Sequence, residues 1–178
     1  MMAKNSAQWA TFRWNLVSHE WFRIYSDYVL VSGSRIYAKL TVKLLPQRFW
    51  LLRSARGCWR IDMPPRRQFH PFTVRSLRSG DIVGKLQYFI ASGGERIKAV
   101  FGKNLPGRIA LQTPVVNYEV SGGWKPAVVS LSGQEIIRVR PIYSFSREPK
   151  GAVEISSDAL HIPELPLLVA LISHSFLL

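Results

Sequence analysis

The sequence predicts a mainly β protein: a closed antiparallel barrel of about twelve strands, with a hydrophobic C-terminal helix threading the interior. Three observations support this class. Short segments alternate between apolar and polar residues, turn-forming Gly, Ser and Asp separate them, and an almost uninterrupted apolar stretch runs from Leu165 to Leu178. With 178 residues, 47 % of them hydrophobic, the chain is long enough for one core. We therefore expect one barrel domain over residues 1–178, with residues 1–10 as a ragged N-terminal segment.

The segment Arg35 to Lys43 has the clearest strand pattern. Its alternation places one set of side chains on each face of a strand. The apolar face has Ile36, Ala38, Leu40 and Val42, and the polar face has Arg35, Tyr37, Lys39, Thr41 and Lys43. Further predicted strands are Phe12–Leu16, Trp21–Tyr25, Tyr28–Val31, Arg48–Leu52, Cys58–Asp62, Phe72–Arg75, Ile82–Ile90, Arg96–Phe101, Arg108–Gln112, Val115–Val120, Ala127–Leu131, Ile136–Arg140, Ile142–Phe145 and Ala152–Ile155. Because so many strands exceed a comfortable open sheet, we expect a barrel or a sandwich.

The end of the sequence predicts a helix that is apolar on nearly all sides. Pro166 stands where a first helical turn tolerates proline. A helix without a polar face must be covered by protein or by lipid. This one, at about 14 residues, is shorter than the roughly 20 residues that cross a bilayer. We expect it to fill the barrel, which at about twelve strands is too wide for side chains alone to fill. The alternative is a short tail anchor in a membrane.

Several segments in the second half resemble one known group of proteins. They are the hairpin unit Val74 to Lys85, the later unit Val129 to Arg138, the strand near Ala152–Ile155 and the closing hydrophobic helix. In pattern and order this region, about Phe72 to Leu178, resembles the tubby C-terminal-like superfamily, which includes phospholipid scramblases and LURP-one-related proteins. The resemblance implies a closed twelve-stranded barrel threaded by a helix. The sequence lacks the acidic calcium site and cysteine-rich acylation segment of scramblases, so the resemblance does not extend to lipid scrambling.

Positive charge is concentrated in the first part of the sequence. The chain has 24 Lys and Arg against 11 Asp and Glu, a net charge of +13. The residues up to Arg108 contain 19 basic and 5 acidic residues, whereas the remainder contains 5 basic and 6 acidic residues. Such an asymmetry predicts a surface for a polyanion, which is a nucleic acid, an anionic membrane leaflet or an acidic protein. The alternative is a soluble basic protein whose cations are scattered over its surface.

The best candidate for a binding site is the polar face of the Arg35 strand together with the arginine pair after Pro64-Pro65. We predict an anion-binding site formed by Arg35, Lys39, Lys43, Arg66 and Arg67. The expected ligand is an anionic surface, most simply phospholipid or phosphoinositide headgroups. One alternative is nucleic acid, with arginines on phosphates and bases stacked on Trp14, Trp50 or Trp59. Another is an edge strand whose cations merely prevent aggregation between sheets.

The sequence contains none of the common catalytic or cofactor motifs. We therefore expect a non-enzymatic protein without catalytic residues, cofactor or metal, although an enzyme with a dispersed site remains open. The single cysteine, Cys58, is interpreted as a buried and unreactive thiol. Residues Met1 to Ala10 lack the apolar region of a secretory signal. The expectation is an intracellular monomer, cytoplasmic or peripheral at a membrane.

Overall fold

A computed structural model describes residues 8–20, 25–44, 47–63, 72–88, 105–112, 115–122, 127–141 and 151–173. These residues form twelve β-strands, a short 3-10 turn at Ser157–Ala159 and one α-helix, α1, at Leu165–Ile172. The strands are β1 Trp9–Glu20, β2 Tyr25–Ser32, β3 Arg35–Lys43, β4 Phe49–Ser54, β5 Gly57–Asp62, β6 Phe72–Ser76, β7 Ile82–Tyr88, β8 Leu105–Gln112, β9 Val115–Gly122, β10 Ala127–Leu131, β11 Gln134–Pro141 and β12 Gly151–Ser156. The predicted mainly β fold with a hydrophobic C-terminal helix is confirmed.

All strand pairs are antiparallel, and strands that follow one another along the chain are neighbours in the sheet. The first strand, β1, pairs with β2 on one side and with β12 on the other. The third strand, β3, is likewise hydrogen-bonded on both sides, to β2 and to β4. The predicted strand Arg35–Lys43 coincides with β3. The predicted strands Arg96–Phe101 and Ile142–Phe145 lie outside the described residues, and so does Trp21–Tyr25 except for Tyr25, which begins β2.

Helix α1 is buried along its whole length. All eight residues are buried, and those other than Pro166 have exposed fractions between 0 and 5 %. The helix contacts β3 and β4 and also β10, which lies far from them in the strand order. A buried hydrogen bond of 3.0 Å, donated by Trp14 Nε1 to Ser173 Oγ, joins β1 to the end of the helix. The predicted start at Leu165 with Pro166 in the first turn is confirmed, whereas residues 174–178 lie outside the described part of the chain.

Arg56, in the β4–β5 turn, holds the segment that leads into α1. Its guanidinium donates one hydrogen bond to the carbonyl oxygen of Leu160, at 2.6 Å, and one to that of Ile162, at 2.5 Å. Hydrogen bonds from a charged donor are stronger than neutral ones. The helix therefore begins at a position that the sheet determines.

A β-bulge in β3 overturns part of the predicted alternation. The pairing with β2 shifts between Leu30 and Val31, which leaves Tyr37 as an extra residue on β3. Bulges re-aim side chains, and Tyr37 packs edge-on against the buried ring of Phe12, with 5.1 Å between ring centroids. Burial raises the pKa of the Tyr37 hydroxyl, an effect that nearby Arg56 partly offsets. Ile36, predicted to face the core, is instead 54 % exposed.

In the described part of the chain, the structure contains no helix with both the length and the apolar character needed to span a bilayer.

Candidate anion-binding face

Two cations face each other directly on the outer side of β3 and β4. Lys39 is the register partner of Arg53, and both side chains are exposed. Among the described residues, no carboxylate forms an ion pair with either of them. Like charges at directly opposed positions of a sheet destabilise it. The pair is therefore an arrangement that strand pairing alone does not favour.

A second like-charge pair lies on the next two strands. Arg60 of β5 is the register partner of Arg75 of β6. Both guanidinium groups contact one carboxylate, that of Asp62, at 2.6 Å from Arg60 Nε and 3.4 Å from Arg75 Nε. One negative charge therefore serves two positive charges, and the cluster keeps a positive excess.

The two pairs form one continuous surface. Arg53 is opposite Cys58, and Arg60 follows Cys58 by two residues on the same side of β5. Diagonal neighbours of this kind in a sheet lie about 7–8 Å apart. We name the outward cations of β3 to β6 the basic face: Lys39, Lys43, Arg53, Arg60 and Arg75.

An aromatic ring stands between two cations of the basic face. The Nζ atom of Lys43 lies 5.4 Å from the ring centre of Phe49, and the Arg60 guanidinium carbon lies 4.3 Å from it. Lys43 also lies 5.3 Å from the ring centre of Tyr25. Cation–π contacts restrain long side chains without neutralising them, so these cations remain able to bind an anion.

The predicted binding residues have different outcomes. Lys39 and Lys43 lie on the basic face. Arg35 is exposed, but the bulge at Tyr37 separates it from the lysine row, so that Ile36 occupies the outward position next to Val31. The prediction that Arg35 lies on one polar strand face with Lys39 and Lys43 is wrong for this reason.

The other two predicted residues, Arg66 and Arg67, lie outside the described residues.

Three residues of the basic face, Arg53, Arg60 and Arg75, were not predicted as site residues. The alternation of apolar and polar residues along their strands could have identified them. In β5 the apolar residues Trp59 and Ile61 alternate with Cys58 and Arg60, which places the latter two outside. The same alternation exposes Cys58, so the expectation of a buried thiol is wrong. The pairing of Lys39 with Arg53 was not accessible, because it depends on the loop between β3 and β4.

The structure weakens both alternative interpretations of the cations on β3, namely an edge strand and a nucleic-acid site. The edge-strand interpretation requires β3 to have one unpaired side, whereas it pairs with strands on both sides. The three tryptophans proposed to stack on bases are buried: Trp14 is 2 % exposed, Trp50 is 1 % exposed and Trp59 is 9 % exposed. Side chains buried to this extent cannot offer a ring face to a base.

Among the residues that the structure describes, no three His, Cys, Asp or Glu side chains are close enough to hold a metal ion.

No family model, curated protein or solved structure matches this chain. The resemblance to the tubby C-terminal-like superfamily therefore rests on the residue pattern alone.

Proposed function

We propose that the chain is a non-enzymatic binding domain whose basic face attaches it to anionic membrane surfaces, with phospholipid or phosphoinositide headgroups as ligands. In this proposal the sheet acts as a closed barrel around α1, and the helix makes it a rigid support. The pairing of β1 with β12 and the contacts of α1 with β3, β4 and β10 support such a barrel.

The proposal rests on two pairs of like charges that face each other across neighbouring strands. These pairs are Lys39 with Arg53 and Arg60 with Arg75. Each such arrangement costs folding stability unless an anion compensates it. Residues that break a local rule of stability are expected at functional sites. A row of headgroup phosphates would supply the missing negative charge. Each cation close to an anionic leaflet contributes about 1 kcal/mol to binding.

A membrane is favoured over a nucleic acid by the shape and composition of the face. The cations lie on the outer side of four adjacent strands, where headgroups can approach side by side. The tryptophans named for base stacking are buried, and the half-buried rings at the basic face, Phe49 and Tyr25, already contact its cations. Sequence-tolerant binding of single strands normally combines cations with exposed aromatic platforms.

Flotation of the full chain with vesicles tests the proposal. Recovery is compared for vesicles of phosphatidylcholine alone, with added phosphatidylserine, and with added phosphoinositide. The proposal expects recovery only with the two anionic compositions, and a loss of recovery as salt is raised. Equal recovery with neutral and anionic vesicles would contradict it.

The matched control is a pair of double variants with the same change in net charge. Lys39→Gln with Arg53→Gln removes two cations from the basic face, and we expect affinity for anionic vesicles to fall by roughly 10- to 30-fold. Arg138→Gln with Arg140→Gln removes two cations from β11 that are already paired with carboxylates. That variant is expected to keep its affinity within about threefold.

Binding of a single-stranded oligonucleotide tests nucleic acid as the alternative partner. Binding of single-stranded DNA at physiological salt, with an affinity above that for anionic vesicles and lost in the Lys39 and Arg53 double variant, would replace the membrane by nucleic acid as the partner.

A further inference from the structure

A cavity lies at the end of the sheet where the chain enters α1, apart from the basic face. Its volume is about 870 Å³. The wall comes from the β4–β5 turn, the β6–β7 turn and the residues that lead into the helix. Its lining includes Arg56, Trp59, Asp81, Val83, Glu164 and Leu167.

The wall of the cavity includes a buried carboxylate with one unpartnered oxygen. The Glu164 side chain is only 9 % exposed, and its Oε2 atom has no hydrogen-bond partner. Although Glu164 is the N-cap residue of α1, its carboxylate makes no capping hydrogen bond to the helix. A buried polar atom without a partner costs about 1–3 kcal/mol, and more when it is charged. Burial accordingly raises the pKa of Glu164 above its ordinary value.

The nearest cation in the cavity wall is already engaged. The Arg56 guanidinium donates to the carbonyl oxygens of Leu160 and Ile162. No ion pair joins Arg56 to Glu164 among the described contacts. Among the residues that the structure describes, none donates a hydrogen bond to Glu164 Oε2.

The rest of the wall indicates the shape and polarity of a ligand that could donate to Glu164. Trp59 and Val83 offer apolar surface beside Glu164, and the exposed residue Asp81 adds a second carboxylate. Two carboxylates and an apolar wall suit a cation with an attached hydrocarbon body. An ammonium group suits this site because it donates hydrogen bonds to a carboxylate oxygen and also carries the opposite charge.

We propose that this cavity binds a small amphiphile with a primary ammonium group, which donates to Glu164 while its hydrocarbon part packs against Val83 and the edge of Trp59. This site is separate from the basic face and does not depend on membrane binding.

Calorimetric titration of the full chain with three probes of equal chain length tests the proposal. Hexylammonium has both charge and N–H donors, hexyltrimethylammonium has charge without N–H, and hexanol has neither the charge nor the N–H donors. We expect hexylammonium to bind, and the other two to bind roughly tenfold or more weakly. Equal affinities for the three probes, or no binding of hexylammonium, would overturn the proposal.

Glu164→Gln keeps the volume of the side chain and removes its charge. The variant is expected to fold, because the cost of burying a charge disappears, and to bind hexylammonium at least about tenfold more weakly. Glu135→Gln is the matched control at an exposed carboxylate outside the cavity, with an expected change below about twofold. Unchanged hexylammonium affinity in Glu164→Gln would show that Glu164 is not the acceptor and would refute the site as described.

Discussion

The outer surface of the sheet carries arginines in two regions with opposite electrostatic character. On β11 and β12, Arg138 lies within hydrogen-bond distance of Glu135, and Arg140 lies 3.4 Å from Glu154. We call these four residues the neutral face. On the basic face, by contrast, cations oppose cations and Asp62 is shared between two arginines. The neutral face follows the rules of strand pairing, whereas the basic face breaks them.

The difference shows that net charge alone does not locate a binding surface. Both regions expose arginine side chains, but on the neutral face each positive charge has a carboxylate from the same chain. A ligand would have to compete with that carboxylate. On the basic face Lys39 and Arg53 have no such competitor among the described residues.

The largest effect is expected from disrupting the hydrophobic core, on which both the basic face and the neutral face depend. Leu168 of α1 is 0 % exposed, and Leu168→Asp would bury a charge without a partner. We expect a loss of more than about 4 kcal/mol in the free energy of unfolding, enough to unfold the domain. Urea titration followed by circular dichroism measures it. A cooperative transition at the wild-type midpoint would contradict the assignment of α1 to the core.

Converting the neutral face into a second basic face tests the comparison directly. Glu135→Gln with Glu154→Gln frees Arg138 and Arg140. We expect affinity for anionic vesicles to rise by about tenfold, measured by flotation. The same two changes should also restore binding in the Lys39→Gln, Arg53→Gln background. If affinity does not rise, loss of a paired carboxylate is not enough to create a binding surface.

Removing the carboxylate that Arg60 and Arg75 share should strengthen the binding of anionic vesicles to the basic face. Asp62→Asn leaves Arg60 and Arg75 opposed without a counter-charge. Vesicle affinity is expected to increase by about fivefold, while the free energy of unfolding falls by roughly 0.5–1 kcal/mol. Flotation and urea titration of the same sample measure both quantities. A simultaneous loss of affinity would mean that Asp62 positions the arginines for binding.

The smallest expected effect is a gain in stability. Lys39→Gln with Arg53→Gln removes one like-charge pair and should raise the free energy of unfolding by about 0.2–1 kcal/mol. Urea titration at low salt measures the gain, which should shrink at high salt because salt screens exposed charges. A loss of stability would show that the two side chains support the fold.

Alternation along single strands predicted much of the fold and part of the site. It located β3 at its observed bounds and placed Lys39 and Lys43 on one side. It failed at Tyr37, because a bulge depends on the packing of this ring against Phe12, which is distant in sequence. The start of α1 was predictable because Pro166 and an apolar run are both local signals.

The pairing between strands was less accessible to sequence reasoning. Two residues separate β4 from β5, and such a short turn fixes the register that places Arg53 opposite Cys58. The loop between β3 and β4 is longer, and nothing in its residues specifies that Lys39 faces Arg53. The like-charge pair on which the proposed function depends therefore became visible only in the folded chain.

The most direct test uses the only cysteine of the chain as a reporter. Cys58 is exposed and lies directly opposite Arg53 within the basic face. An environment-sensitive fluorophore on Cys58 is compared with the same fluorophore on Gln134→Cys in a Cys58→Ser background, at the exposed start of β11. On addition of anionic vesicles, the account predicts a blue shift of the label on Cys58 and little change at position 134. A shift confined to position 134 would contradict it.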